Sequence, residues 1–353
     1  MTKTRHARNA PSAAARLAWG AASGSFVEMG TADSPYTCLA HADWSIRPQG
    51  RWMAMACREG LEWRVSAARM IAEPARLLPE IASAASDGPA LLGVDLPVGA
   101  PGAWAAQAGV ASFPGLLDAL GDGRWSDFWR PAVTADEISL TRPFYPRGVG
   151  GKKQAQLYRA LGFDRMAALR RECEWTAGGK GSGTPLFWTL GPAQVGKAAL
   201  HFWEHVLQPA RRAGSVAIWP FDGDLDAIAA PGRVAVAETY PGEIYGWLGL
   251  GIGGRGRRKG RVADRADDAG ALLAAGARLG AMFDDDARAQ IEAGFAGEGD
   301  DAFDAMVGLL GMLEVVVGGR DPGAPRTQAV RSVEGWILGR IPRNTDPDSN
   351  AVE

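Results

Sequence analysis

Apolar residues in the first third of the chain fall into short runs bounded by Pro, Gly and charged residues. Residues 36–43, 51–58 and 61–69 are each strand length, and Pro48-Gln49-Gly50 and Glu59-Gly60 separate them, which predicts three consecutive antiparallel strands. Residues 73–85 set Leu77, Leu78, Ile81 and Ala85 at helical spacing behind Pro74, placed near the first turn where a missing N–H is harmless. Leu91-Leu92-Gly93-Val94-Asp95-Leu96-Pro97 follows as a buried strand stopped by Pro97. The order to this point is β-β-β-α-β.

From about residue 99 to 215 the pattern loses its period. Trp104, Trp125, Phe128, Trp129, Phe144 and Tyr145 are irregularly spaced, and only 154–173 and 195–213 read as helical, so this stretch is expected to be a large insertion. Short strands are expected at 215–219 and 233–238, a helix at 242–250, and a strongly apolar helix opening at Asp300.

Composition adds little to this outline. The 353 residues are 46% hydrophobic and 22% charged, an ordinary globular balance, and 38 basic against 40 acidic side chains leave a net charge of −2. A polyanionic partner must therefore be met by a local patch rather than by a global field. Cys38, Cys57 and Cys173 are odd in number and far apart in sequence, with no C-x-x-C pair, so they are expected to be reduced thiols in a cytoplasmic protein. No apolar run reaches the roughly 18 residues of a membrane span, since 306–317 is broken by Gly308, Gly311 and Glu314. The expected organisation is a flexible tail over 1–34, a single domain over 35–340 carrying the insertion, and a flexible tail over 341–353.

The candidate chemistry is carboxylate chemistry. Asp43 and Asp95 each close a predicted strand, and ligands of α/β sheets collect beyond the carboxyl ends of strands. Glu238 closes a third strand, with an N-cap or turn role as its plainer reading. Asp301 and Asp304 stand three apart on one face of the late helix, where acids in the first turn also suit the helix dipole. The one dense basic run is Arg255, Arg257, Arg258, Lys259, Arg261 and Arg265, suited either to solvent or to phosphate contact. Gly249 to Gly254 satisfies a G-x-G-x-x-G expression but follows a helix rather than a strand, which argues against a dinucleotide site.

Asp43 after the first strand, Asp95 in Gly-Val-Asp-Leu-Pro, Glu238 in Glu-Thr-Tyr-Pro-Gly-Glu and the Asp-Asp-Ala-Phe-Asp-Ala helix start together resemble domain-of-unknown-function family 429. Phe187-Trp188-Thr189-Leu190-Gly191, Trp219-Pro220-Phe221-Asp222-Gly223 and Glu334-Gly335-Trp336-Ile337-Leu338 also look like segments of that family, and the resemblance covers roughly residues 36–340. It implies a ribonuclease H-like α/β fold, a mixed sheet in the order β-β-β-α-β-α-β-α with helices on both faces and the insertion between the fourth and fifth core strands. Such folds carry acids on the first strand, the fourth strand and a late helix, places matched here by Asp43, Asp95 and Asp304, with Asp301 as the substitute for Asp304.

The activity this implies is phosphodiester hydrolysis with Mg2+ or Mn2+, because oxygen ligands suit these ions and a metal pair stabilises both the attacking and the leaving oxygen. In that scheme Asp43 bridges two ions, Asp95 and Asp304 hold one each, and Glu238 orients the attacking water or completes the shell of the second ion. Arg257, Arg258 and Lys259 steady the backbone of a nucleic-acid substrate. Two alternatives stay open: a non-catalytic module that binds a phosphorylated ligand or a protein partner, and a nucleotide phosphohydrolase.

Overall fold

The computed structural model describes residues 34–145, 154–175, 184–190, 195–254 and 256–342. The expected tails fall almost wholly outside these residues, and Arg255 lies outside them too. The architecture is α/β, built on a mixed sheet of seven strands: β1 Cys38–Asp43, β2 Trp52–Glu59, β3 Glu62–Met70, β4 Ala90–Val94, β5 Val216–Ile218, β6 Val234–Glu238 and β7 Ala281–Phe283. The spatial order is β5-β6-β4-β1-β2-β3-β7. β1, β2 and β3 form the expected antiparallel meander, while β1, β4, β6 and β5 run parallel to one another.

Strands β4 and β6 are buried along their whole length, as the continuous apolar runs Ala-Leu-Leu-Gly-Val and Val-Ala-Val-Ala-Glu require of parallel strands covered on both faces. One face carries the helix α1 (Leu77–Ala84) and the helices between β4 and β5: α2 (Gly102–Ala108), α3 (Phe113–Ala119), α4 (Gln154–Ala160), α5 (Val195–Phe202) and α6 (Gln208–Arg212). The aromatic residues of this insertion continue the core of that face, Trp104 packing against Phe187 at 5.0 Å and Phe128 against Phe144 at 5.5 Å between ring centroids. The opposite face is covered by α7 (Pro241–Trp247), α8 (Val262–Asp267), α9 (Ala269–Arg278), α10 (Asp285–Glu292) and α11 (Asp300–Val316).

Several details depart from the sequence reading. The sequence left open which of the two late strands adjoins β4; it is β6, so β5 forms the sheet edge and the chain returns inward after it. The predicted helix 154–173 stops at Ala160 because Gly162 takes a left-handed φ of 81°, and the remainder is short 3-10 turns. The predicted helix 195–213 is continuous but widens into a π turn at Trp203–Leu207, directly before Pro209. A proline lacks the N–H and crowds the carbonyl four residues earlier, and a wider turn relieves both. β7, α8, α9 and α10 were not foreseen: β7 is only three residues long, too short to show a period. Cys38 and Cys57, distant in sequence, are directly paired across β1 and β2 with Sγ atoms 2.7 Å apart.

The 17 residues of α11 are almost all buried, which explains a helix apolar nearly all round. Among the described residues no helix is long and apolar enough to cross a membrane. α11 lies across β1 and β2 and comes unusually close to the sheet at Gly308, where a methyl group would stand 2.2–2.4 Å from three atoms of the buried His41 ring. Gly308→Ala should therefore destabilise the protein by up to about 2 kcal/mol, overpacking near the top of a 1–3 kcal/mol range outweighing the roughly 1 kcal/mol gained in helix propensity. Urea unfolding checks this, and a raised midpoint would contradict the close approach.

Candidate functional site

The register of the parallel strands decides which acids can meet. Ala42, Val94 and Glu238 form one cross-strand row, and the ladder continues through Asp95 N–H to Ala42 O (3.1 Å) and Thr239 N–H to Val94 O (2.9 Å). Asp43, Asp95 and Thr239 thus form the next row. Because successive side chains alternate between faces, this row points to the α11 face and Glu238 to the insertion face. The flanking residues agree: Leu39, Leu91 and Ala237 pack on the α11 side, Ala42, Val94 and Val236 on the other.

α11 then supplies the third acid. His41 lies under Gly308, and Asp43, two residues on, interacts with Asp304, one turn earlier in the helix, so α11 runs against β1. Two strand residues advance about 6.7 Å and one helical turn about 5.4 Å, a match close enough to put both carboxyls at the same end. Asp301 joins them from the first turn of α11, its Oδ2 beside Gly50 in the loop after β1.

The electrostatics follow from this crowding. Asp43 is raised well above the carboxylate range, by burial first and then by Asp95, Asp304 and Asp301. Asp95 is pushed up to about 7 by burial and by Asp304, with Lys259 acting in the opposite direction. Burial raises Asp304 and Asp301 as well. The counter-ion is Lys259, whose Nζ donates to Asp304 Oδ2 and lies 3.9 Å from Asp300. Burial works to lower the Lys259 ammonium, but Asp304, Asp43 and Asp300 raise it overall. Tyr245 of α7 donates its hydroxyl to Asp304 Oδ1.

The remaining sequence candidates have different surroundings. Glu238 is 4% exposed and accepts both Nη atoms of Arg171 at 2.6 Å, with Val98 N–H on Oε2 at 2.8 Å. Arg171 also donates to Glu174 Oε1 (2.9 Å) and to the Glu334 carbonyl (3.2 Å). Glu238 therefore lies near enough to Asp95 to act on its charge, yet its oxygens bind the insertion to the sheet. In the basic run, Arg257 Nη1 is tied to Asp268 at 2.5 Å, and Arg265 is buried, donating to the Lys259 and Gly294 carbonyls. Arg258 and Arg261 are exposed, and among the described residues of the run only Lys259 reaches the acids.

Arg171, Tyr245 and Arg340 were not foreseen as site residues. Among the described residues, no three His, Cys, Asp or Glu side chains are already disposed around a metal ion. The donor set nevertheless suits a hard divalent cation: Asp43, Asp95 and Asp304 are buried oxygen donors, the half-buried Asp301 stands beside them, and the ammonium of Lys259 opposes their charge. Asp304 at present spends its oxygens on Tyr245 and Lys259.

No family model, curated protein or solved structure matches the chain.

Proposed function

We propose that the chain is a metal-dependent phosphodiester hydrolase of the ribonuclease H-like class, as the resemblance to domain-of-unknown-function family 429 implies. The observation that carries this reading is the convergence of Asp43, Asp95 and Asp304, from three separate elements, on one end of the sheet. The strand arrangement β3-β2-β1-β4-β6, antiparallel through the meander and parallel beyond it, supports the same reading.

Asp43, Asp95 and Asp304 would hold Mg2+ or Mn2+, with Asp301 as the further donor. When bound, such ions stabilise charge on the attacking and leaving oxygens and make a bound water more acidic. The ladder holds the backbones of Asp43 and Asp95 side by side. Tyr245 orients Asp304, and Lys259, beside the same carboxyl, would be the cation nearest to a bound phosphate oxygen. Glu238 acts on Asp95 only through space, and Arg257 steadies the loop that presents Lys259.

Purified protein incubated with single-stranded, duplex, hybrid and branched nucleic acids is expected to cleave at least one of them with Mn2+ and none in EDTA. Loss of that cleavage in Asp43→Asn supports the assignment. Cleavage indifferent to Asp43→Asn, or no hydrolysis of any substrate, overturns it.

A further inference from the structure

Away from the acid cluster, two nucleophilic side chains are brought together by the sheet register. Cys38 and Cys57 stand opposite each other on β1 and β2, at the end of β1 remote from Asp43. One position along, Arg58 N–H donates to Thr37 O at 2.8 Å, and because antiparallel pairs alternate, Cys38 and Cys57 form a non-hydrogen-bonded pair. Such a pair brings its Cα atoms to about 4.5 Å, within the range that a disulfide spans, and turns both side chains to one face. Here that is the α1 face, and the Sγ atoms lie 2.7 Å apart. The same cross-strand row continues to Ala90 on β4 and to Arg64 on β3. Exposure rises along it: Ala90 and Cys38 are buried, Cys57 is half-buried and Arg64 is open to solvent. A small solute therefore meets Cys57 before Cys38. Cys173, the third cysteine, is fully buried and belongs to the core on the other face of the sheet.

We infer that Cys57 and Cys38 are a peroxide-reactive dithiol that closes to a disulfide across β1 and β2. The inference stands on the register of these strands and is independent of the hydrolase reading. Cys57 takes the first step. Its thiolate attacks one oxygen of hydrogen peroxide, the O–O bond breaks, hydroxide leaves, and Cys57 becomes a sulfenic acid. The Cys38 sulfur then attacks the Cys57 sulfur, the S–O bond breaks, and the hydroxyl leaves as water with the Cys38 proton. In sum, two thiols give two electrons and two protons to the peroxide, which is reduced to two molecules of water. The order of the steps follows from the surroundings. With the Cys38 thiol donating to the Cys57 sulfur, Cys57 is held below the usual thiol range, while the same bond and burial push Cys38 up. A reachable thiol of lowered pKa beside a second, resolving thiol is the arrangement that peroxides oxidise selectively. A dithiol reductant reverses the bond by exchange.

The test is a thiol count on the whole chain. Protein reduced with dithiothreitol and then freed of it is treated with a small excess of hydrogen peroxide, denatured and titrated for thiols. Three free thiols are expected before treatment and one after it, with the monomer lighter by about 2 Da, a Cys38–Cys57 cross-link in the peptide map, and full recovery on reduction. Cys38→Ser removes the resolving thiol and should leave Cys57 as a sulfenic acid that dimedone captures. Cys57→Ser should keep both of its thiols under the same treatment. Retention of all three thiols in wild type overturns the inference, as does a cross-link that involves Cys173 or joins two chains. Capture of dimedone at Cys38 in Cys57→Ser would overturn the assignment of Cys57 as the attacking thiol. Should either variant fail to fold, the thiol count and peptide map of wild type still decide the pairing.

Discussion

Asp95→Asn is expected to lower Mn2+-dependent cleavage about a thousandfold, roughly 4 kcal/mol of transition-state stabilisation, while raising the melting temperature of the metal-free protein at pH 8. The two effects have one cause. Asp95 titrates near 7 in the folded protein, against about 3.9 in an unfolded chain, because burial and Asp304 oppose its charge. A raised carboxyl contributes stability that is full below about pH 4, where both states are protonated, and that is lost as pH rises through about 7. Wild type in EDTA should therefore melt at progressively lower temperature from pH 5 to pH 8. Asparagine carries no charge to suppress, so Asp95→Asn should flatten much of that slope, leaving the part due to Asp43, Asp301 and Asp304, which are raised in the same direction. Added Mn2+ should restore the wild-type melting temperature at pH 8, because a ligand of the native state stabilises it by mass action. Melting curves across pH, with EDTA or Mn2+, decide the matter; equal slopes for wild type and Asp95→Asn would mean that the carboxyl is not held up by its surroundings.

The second large effect is structural. Arg171→Met should destabilise the protein by about 3–5 kcal/mol, a fall in melting temperature on the order of 10 °C, because Glu238 and Glu174 would remain buried without their counter-ion. Arg171 is the tie between the insertion and the strand β6, so the loss should also weaken the near-ultraviolet dichroism of the insertion's tryptophans. The double variant Arg171→Met/Glu238→Met should recover part of the stability, since it removes an unpaired buried charge as well as the bond. A single variant melting within two or three degrees of wild type, roughly the effect of 1 kcal/mol, would show that the cluster is not buried in solution.

The meander, α1 and β4 were legible because each combines a period with a chemical stop: Gly60 at the hairpin, Pro74 at the helix start, Pro97 after the strand. The acids at strand ends were legible for the same reason, as Asp43 and Asp95 interrupt apolar runs. What a run of letters did not carry is parity. Asp43 and Glu238 look alike as strand-closing acids, but they occupy adjacent rows of the ladder and so face opposite sides of the sheet, a fact fixed only by register. Long-range pairing hid the partners too: Arg171 lies in an irregular segment 67 positions from Glu238, and Arg340 follows an unremarkable turn 97 positions from Glu243. The basic run was visible as charge, but which of its members serve as struts and which reach the acids depends on Asp268 and on the carbonyls near Gly294.

Lys259 gives the acid cluster an internal neutraliser. In the proposed hydrolase, Mg2+ or Mn2+ would therefore enter a cluster that already holds a positive charge, and would have to displace Lys259 from Asp304 rather than fill a void. How readily the ammonium gives up Asp304 would then weigh on occupancy alongside carboxylate basicity.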